Sequence, residues 1–447
     1  MNIKDFKHIY FIGIGGIGMS ALARYFKILG KNVAGYDKSV TILSKELENQ
    51  GINVNYEDSL ATIEEKYLNV NDTLVVITPA IPREHLQMNY FKNNNFKIKK
   101  RAEVLGMITQ DTFCFAVAGT HGKTTTSAIL AHILYQSGVD VTSFLGGILE
   151  NYNSNLVGNG KTVSVVEADE FDRSFLHLHP DMACITSIDA DHLDIYGDKN
   201  TIEQTFLEFS KKIENTNNLF TPLGVPFQAT KIGIEEQAAI IAKNIFIENG
   251  NYIFDIQYHE EFISKVKFGL PGRHNLSNAL IAFAMAKNYG LENNQIKSAL
   301  ESFKGIKRRF SYIIKNDQLV FIDDYAHHPT EINAVYQAIT ELYYDKKIVA
   351  VFQPHLFSRT RDFADDFAKS LSQFDNLLLM EIYPARELPI EGITSTWLLQ
   401  KISSKNKKLV SKSTLINEIK NQNPEVLVTI GAGDIGEMIL EIKENFK

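Results

Sequence analysis

The sequence predicts an α/β protein of three domains with mostly parallel sheets. Three observations carry that prediction. The chain has 447 residues, and at roughly 150 residues per domain this makes about three domains. Apolar strand-like runs alternate with helical stretches along it, an order that calls for parallel strands joined by right-handed crossovers. Three blocks each open with an apolar run that leads into a glycine-containing loop. The expected boundaries fall near 107 and 310, giving domains 1–107, 108–310 and 311–447.

Hydrophobic residues make up 44% and charged residues 22%, a globular balance that excludes a disordered chain, a fibre and a disulfide scaffold. The net charge of -7 excludes bulk affinity for nucleic acid or an anionic membrane, so any phosphate must be held by local loops. Cys114 and Cys184, in FCFAV and ACITS, read as inert core thiols in a reducing compartment. Lys4 and Lys7 precede an uncharged stretch, Ile9 to Ala23, that superficially looks like a secretory signal. Four glycines interrupt it, Asp5 spoils the basic head, and its 15 residues are too few to span a bilayer. A cytoplasmic protein is expected.

In the first block, HIYFIGIGGIGMSALARYF, strand Ile9–Ile12 leads through a glycine turn into a helix. NVAGYD, TLVVITPA and FKIKKRAE supply later strands of the same unit. Gly13, Gly15, Gly16 and Gly18 form a G-x-G-x-x-G loop, whose bare backbone can approach a pyrophosphate at the helix N-terminus. Asp37 lies 19 residues beyond Gly18, where an acidic side chain usually meets a ribose hydroxyl. Alone, this loop favours NAD; a tight turn without ligand is the bland alternative.

The second block starts at FCFAVAGTHGKTTTSAILAHILYQSG. Its helix is predicted over about Lys123 to Gln136, with Ile129, Leu130, Ile133 and Leu134 on the apolar face and Gly138 just beyond. Gly119, Thr120, His121, Gly122, Lys123, Thr124 and Thr125 make a shortened nucleotide-binding loop, since the full pattern wants Gly where Val117 stands. Lys123 can reach β- and γ-phosphates, and the hydroxyl of Thr124 or Thr125 can ligate Mg²⁺. Glu167 closes the strand TVSVVE at the ligand-gathering edge and leads into Asp169, Glu170 and Asp172; such crowded carboxylates call for a cation. His192, in IDADHLD after the strand MACITSI, is a candidate for Mg²⁺ or phosphoryl contact, or a structural histidine. Asp191 and Asp194 read as solvated loop residues. The stretch 215–270 shows only strand-like pieces such as NYIFDI, before the helix NLSNALIAFAMAKNYG with Gly290 as its stop. Asn275 and Asn278 either cap that helix or read adenine through amide hydrogen bonds.

The third block holds the strands of LVFIDDYAHHP, KKIVAVFQPH, NLLLMEIYPA and EVLVTIGAGD. Arg308 and Arg309 precede it, as a solvated pair or a γ-phosphate clamp. Asp323, Asp324, Tyr325, His327 and His328 gather at one strand end, and His355 and Arg359 at the next. An arginine and a carboxylate there suit the two charges of an amino acid; zinc is the competing reading for the histidines. Two phosphate loops in one chain suit a ligase, with a nucleotide-linked substrate in one domain and ATP in its neighbour.

GIGGIGMS, GTHGKTTT, EADEFDRSFLHL, DADHLDIY, HNLSNALIA, KRRF, DDYAHHPTE, FQPHLFSRT and GAGDIG follow in this order across nearly the whole chain. With them the chain resembles the Mur ligases. The resemblance implies a Rossmann-like first domain for a UDP-sugar, a P-loop ATPase-like central domain for ATP, and a Rossmann-like third domain for an amino acid. It implies that ATP and Mg²⁺ drive the joining of L-alanine to UDP-N-acetylmuramate in peptidoglycan precursor synthesis. A monomer or homodimer is expected, with no nucleic acid or membrane partner.

By the same resemblance Gly13, Gly15, Gly16, Gly18 and Asp37 hold the UDP-sugar. Lys123 stabilises the moving phosphoryl group; Thr124, Glu167 and His192 surround Mg²⁺. Asn275 and Asn278 position ATP, Arg309 and Asp324 are contacts from the hinge and third domain, and Tyr325, His327 and Arg359 lie near alanine. The chain departs from the family at Leu356, where many members carry Arg, and at Phe171, Arg173 and Arg386. The alternatives are a ligase that adds a preformed tripeptide to the same sugar nucleotide, or an NAD-dependent dehydrogenase.

Overall fold

The computed structural model describes residues 3–78, 81–189, 199–248, 250–385 and 387–446. Its first sheet has five parallel strands: β1 (His8–Ile12), β2 (Asn32–Tyr36), β3 (Asn53–Asn55), β4 (Thr73–Ile77) and β5 (Lys97–Lys100), in the order β3-β2-β1-β4-β5. The strand β1 is apolar on both faces. Ile9 and Phe11 pack into one cluster while Tyr10 and Ile12 pack into another, the pattern of a strand covered on both sides. Ile12 pairs with Tyr36 and with Ile77, so the three strands end together. Strand order reverses at β1, and the glycine loop leaves from that switch point, where open α/β sheets bind ligands.

The second sheet contains β6 (Phe113–Ala118), β7 (Val141–Leu149), β8 (Ser154–Val157), β9 (Val163–Glu167), β10 (Met182–Ile185), β11 (Leu219–Pro222), β12 (Thr230–Ile234), β13 (Ile240–Glu248), β14 (Asn251–Tyr258) and β15 (Glu261–Phe268). Their order is β15-β14-β13-β12-β11-β10-β6-β9-β7-β8. Strands β7, β9, β6, β10, β11, β12 and β13 run parallel and β8 runs antiparallel to β7. Val117 pairs with Glu167, and Ala118 with Ile185, so the nucleotide loop leaves β6 between the ends of β9 and β10. The stretch 215–270 resolves into five strands.

One apolar cluster runs through both domains: Phe11 and Phe26 belong to it together with Ala116, Phe144, Val166 and Phe175. Tyr25 meets Phe144 edge-on with ring centroids 5.2 Å apart. Apart from residues 247–252, where β13 ends and β14 begins, these two sheets fall in one compact unit. Cys114 and Cys184 are buried free thiols, and burial pushes both far above the ordinary thiol range.

The third sheet belongs to a second compact unit. Its strands are β16 (Ser311–Lys315), β17 (Val320–Asp324), β18 (Ile348–Phe352), β19 (Asn376–Met380), β20 (Asn406–Val410) and β21 (Val426–Ile430), in the order β16-β17-β21-β18-β19-β20. All pairs are parallel except the edge strand β16. Asp324, Ile430 and Phe352 stand level, so the loops after β17 and β18 leave from one edge. Among the described residues, no helix is long and apolar enough to cross a membrane.

Candidate active site

The first loop is shaped by its own glycines. Gly13 has φ +88°, and a Cβ there would lie 2.6 Å from the Thr78 methyl carbon. Gly15 N–H donates to Asp37 Oδ2 at 2.7 Å, and Ser39 N–H donates to Asp37 Oδ1 at 3.2 Å. Asp37, expected at a ribose hydroxyl, braces the loop through Oδ2, while its Oδ1 accepts from its own chain two residues on. The helix Ile17–Ile28 starts after Gly16 with no acidic residue in its first turn, leaving its positive end uncompensated there.

The second loop is braced from outside. Gly119 has φ +130°, and an added Cβ would collide with the Thr186 hydroxyl; at Gly122, φ +83°, it would lie 2.7 Å from Asn278 Oδ1. Thr120 and Ser187 hydroxyls meet at 2.9 Å, His121 N–H donates to Ser187 Oγ at 2.9 Å, and Thr126 Oγ1 donates to Asn278 Oδ1 at 3.2 Å. The helix spans Lys123–Gln136 as its pattern predicts. Thr125 is buried, whereas Thr124 Oγ1 donates to Glu167 Oε2 at 3.0 Å. Of the two threonines, Thr124 is thus the one facing the carboxylate. Ser127 Oγ also donates to Glu167, at 3.2 Å. This hard oxygen set suits Mg²⁺.

Lys123 Nζ donates to both carboxylate oxygens of Glu170, at 2.7 and 2.9 Å, and to Gly119 O at 2.6 Å. Burial pulls the Lys123 ammonium down, but Glu170, Asp169 and Glu167 outweigh it and hold it above the ordinary lysine value. Burial pushes Glu170 up, opposed by Lys123. The contact geometry argues for a charged pair.

Both loops open on one cavity of about 380 Å³, whose lining includes Gly16, Gly18, Arg101, Lys123, Thr124 and Glu167. Gly13 and Gly15 shape the turn and are not among the residues lining that cavity. Arg101 starts the helix Arg101–Thr109, lies against Gly18 and reaches Asp169 at 3.5 Å. Such a long, part-exposed ion pair is worth under about 1 kcal/mol, so the guanidinium is readily yielded to an anion. Neither Arg101 nor the braces Ser187 and Glu170 stands in a phosphate-loop motif. For Arg101 and Ser187 the signal is spatial, since strand order brings them there; Glu170 stands in the acidic run that follows Glu167.

The third-domain candidates form their own cluster. Asp324 accepts from Phe310 N–H at 2.8 Å and Ala326 N–H at 2.7 Å. Burial pushes it up to about 6, against the pull of Arg309. The arginine pair divides. Arg308 is tied to Asp323 at 3.1 Å, while Arg309 stands 3.9 Å from Glu331, and both lie over the Tyr325 ring. His327 Nδ1 lies 3.0 Å from Tyr325 O and 3.5 Å from Glu331. Burial holds His327 below its ordinary value, opposed by Glu331 and reinforced by nearby Arg359. Leu356, at the departure from the family pattern, has φ +72°, a left-handed conformation that strains a leucine.

The helix Arg273–Tyr289 begins two residues before Asn275, so neither asparagine is its N-cap. Asn275 Nδ2 donates to Pro271 O at 2.6 Å, and Asn278 supports the nucleotide loop as above. His192 and Arg386 lie outside the described residues. Among the described residues, no group of three His, Cys, Asp or Glu side chains is placed to hold a metal ion.

Comparison with known proteins matches this architecture. The model for the Mur ligase family, catalytic domain, matches residues 8–112; the Mur ligase middle domain matches 117–286; the Mur ligase, glutamate ligase domain, matches 308–433. The chain is 62% identical over 444 residues to a UDP-N-acetylmuramate--L-alanine ligase of Flavobacterium psychrophilum, covering 99% of each chain. It is similar to a crystal structure of the UDP-N-acetylmuramate-alanine ligase MurC from Thermotoga maritima, with TM-score 0.83 and 28% identity over 98% of this chain and 100% of that one. A murein peptide ligase from Psychrobacter arcticus shares the fold at TM-score 0.68 and 23% identity, over 98% of this chain and 99% of that one. On sequence and on structure, the chain belongs to the Mur ligase family.

Proposed function

We propose that this Mur ligase joins L-alanine to the lactyl carboxylate of UDP-N-acetylmuramate at the expense of ATP, at the first peptide step of peptidoglycan precursor synthesis. One observation carries the reading: the glycine loop and the nucleotide loop line a single cavity, with Lys123, Thr124 and Glu167 opposite Gly16 and Gly18. The residues 1–107 hold the sugar nucleotide, 108–310 hold ATP, and 311–447 supply amino-acid contacts from Tyr325, His327 and Arg359.

A carboxylate resists amines because its oxygen is a poor leaving group. The lactyl carboxylate oxygen attacks the γ-phosphorus, ADP departs, and an acyl phosphate forms. The neutral amine of alanine then attacks the acyl carbon, loses its proton, and expels phosphate from the tetrahedral intermediate. Such chemistry is accelerated mainly by positioning and charge neutralisation. Lys123 serves the moving phosphoryl group, for which an arriving γ-phosphate competes with Glu170. Thr124 and Glu167, with His192, are the residues that would hold Mg²⁺, which neutralises phosphate charge when bound. Arg101 faces the same cavity and suits an anionic group of the sugar nucleotide.

Membership of this family sets aside the dehydrogenase reading. Relatives at high identity carry the alanine-ligase name, whereas the likeness to a peptide ligase extends to the fold. A phosphate-release assay with UDP-N-acetylmuramate, ATP and one acceptor at a time tests the assignment. L-alanine is expected to exceed glycine and L-serine, with the tripeptide inactive; preference for the tripeptide would overturn it.

A further inference from the structure

We propose that Asn155 is a positioning residue, locking the sugar-nucleotide loop at a fixed distance from the nucleotide loop. Asn155 lies on β8 and is fully buried. Its Nδ2 donates to Ile17 O at 2.5 Å and to Ser20 Oγ at 3.0 Å, and its Oδ1 accepts from Arg24 Nη1. Residues 17, 20 and 24 share one face of the helix Ile17–Ile28. One amide of the ATP-binding domain thus grips two turns of the helix that begins at the glycine loop.

Arg24 is itself buried, and its remaining donors go to Gln50 Oε1 at 3.0 Å and Glu46 Oε2 at 2.9 Å. Each nitrogen of the guanidinium thus has a partner, and sliding or turning the helix would pull these buried polar groups off their partners. Each group so orphaned is costly. Apolar contacts such as Tyr25 on Phe144 hold the helix against the sheet but tolerate small slips; directional hydrogen bonds do not. The first contact, Ile17 O, belongs to the residue after Gly16, and Gly16, Ile17 and Gly18 line the reaction cavity. Asn155, Ser20 and Arg24 do not line it. They act through the helix, and a displacement of about 1 Å between reacting groups can cost about 10²-fold in rate.

The inference rests on the ligase reading, and its test separates the two. In the full chain, Asn155→Ala is expected to lower kcat for phosphate release about 10- to 100-fold, with KM for ATP and UDP-N-acetylmuramate changed less than about 3-fold. Asn155→Asp keeps an acceptor for Arg24 but loses both donations, so it stays impaired. Ser20→Ala, the mildest change, serves if the others fold poorly. Spin labels at Lys27 and Gln136, both exposed, are expected to give a narrow distance distribution that broadens in Asn155→Ala. Wild-type kcat in a folded Asn155→Ala protein, or an unbroadened distribution, overturns the positioning role. If the unmutated chain releases no phosphate with any acceptor, the ligase reading fails and the label distances alone decide the lock.

Discussion

The two glycine loops occupy equivalent places, each leaving the carboxyl end of a central parallel strand and entering a helix. Their furnishings differ. The Gly13–Gly18 loop contains no cation, and the acid beside it, Asp37, accepts from Gly15 and Ser39 N–H; its positive contribution comes from the helix end and from Arg101 on another element. The Gly119–Thr125 loop carries its own lysine, a hydroxyl aimed at Glu167, and braces from Ser187 and Asn278. On the proposed reading the first loop holds a diphosphate still and the second neutralises charge that moves. Position in an α/β sheet says where phosphate goes; the side chains around it say whether phosphate reacts.

That contrast can be broken experimentally, and the largest effect belongs to the second loop. Lys123→Ala should lower kcat by at least about 10³-fold, roughly 4 kcal/mol, while calorimetric UDP-N-acetylmuramate affinity stays near wild type. Joint loss of both would erase the distinction. Glu167→Gln should weaken apparent Mg²⁺ affinity roughly 10- to 100-fold, read as a metal titration of phosphate release that saturates late; an unchanged titration would remove Glu167 from the metal's surroundings. Arg101→Ala should raise the UDP-N-acetylmuramate Kd about tenfold, near 1.4 kcal/mol, and leave ATP binding alone. Asp37→Ala should change that Kd only about 3-fold, under 1 kcal/mol, because a loop brace is lost and no ligand contact with it. A loss of 100-fold or more would restore Asp37 to the ribose.

What could be read in advance follows the same physics. The helix Lys123–Gln136 is legible because every signal is local: a strand, a glycine loop, an apolar face, and Gly138 at φ +77° beyond its end. The parallel sheets are legible from alternation. Arg101, Ser187 and Asn155 are not, since sheet order and helix packing bring them in; Glu170 stands in the acidic run that calls for a cation, and the structure supplies Lys123 as that cation. Asp37 shows a further limit: spacing places a carboxylate near a loop without saying whether it faces ligand or its own backbone. Asn275 and Asn278 look alike in sequence, yet Asn278 accepts from Thr126 in the helix after the nucleotide loop while Asn275 donates to Pro271 O. In the stretch 215–270, β14 alternates buried and half-buried positions and its NYIFDI is readable, whereas β11 and β12, of four and five residues, are too short to show a period.

The most direct test of the central claim follows one oxygen atom. UDP-N-acetylmuramate labelled with ¹⁸O in both lactyl carboxylate oxygens is turned over with ATP and L-alanine, and the released phosphate is analysed by mass. Passage through an acyl phosphate puts one labelled oxygen into each phosphate. Phosphate free of label, at full peptide-product yield, would mean that the second loop never hands its phosphoryl group to the acid held by the first.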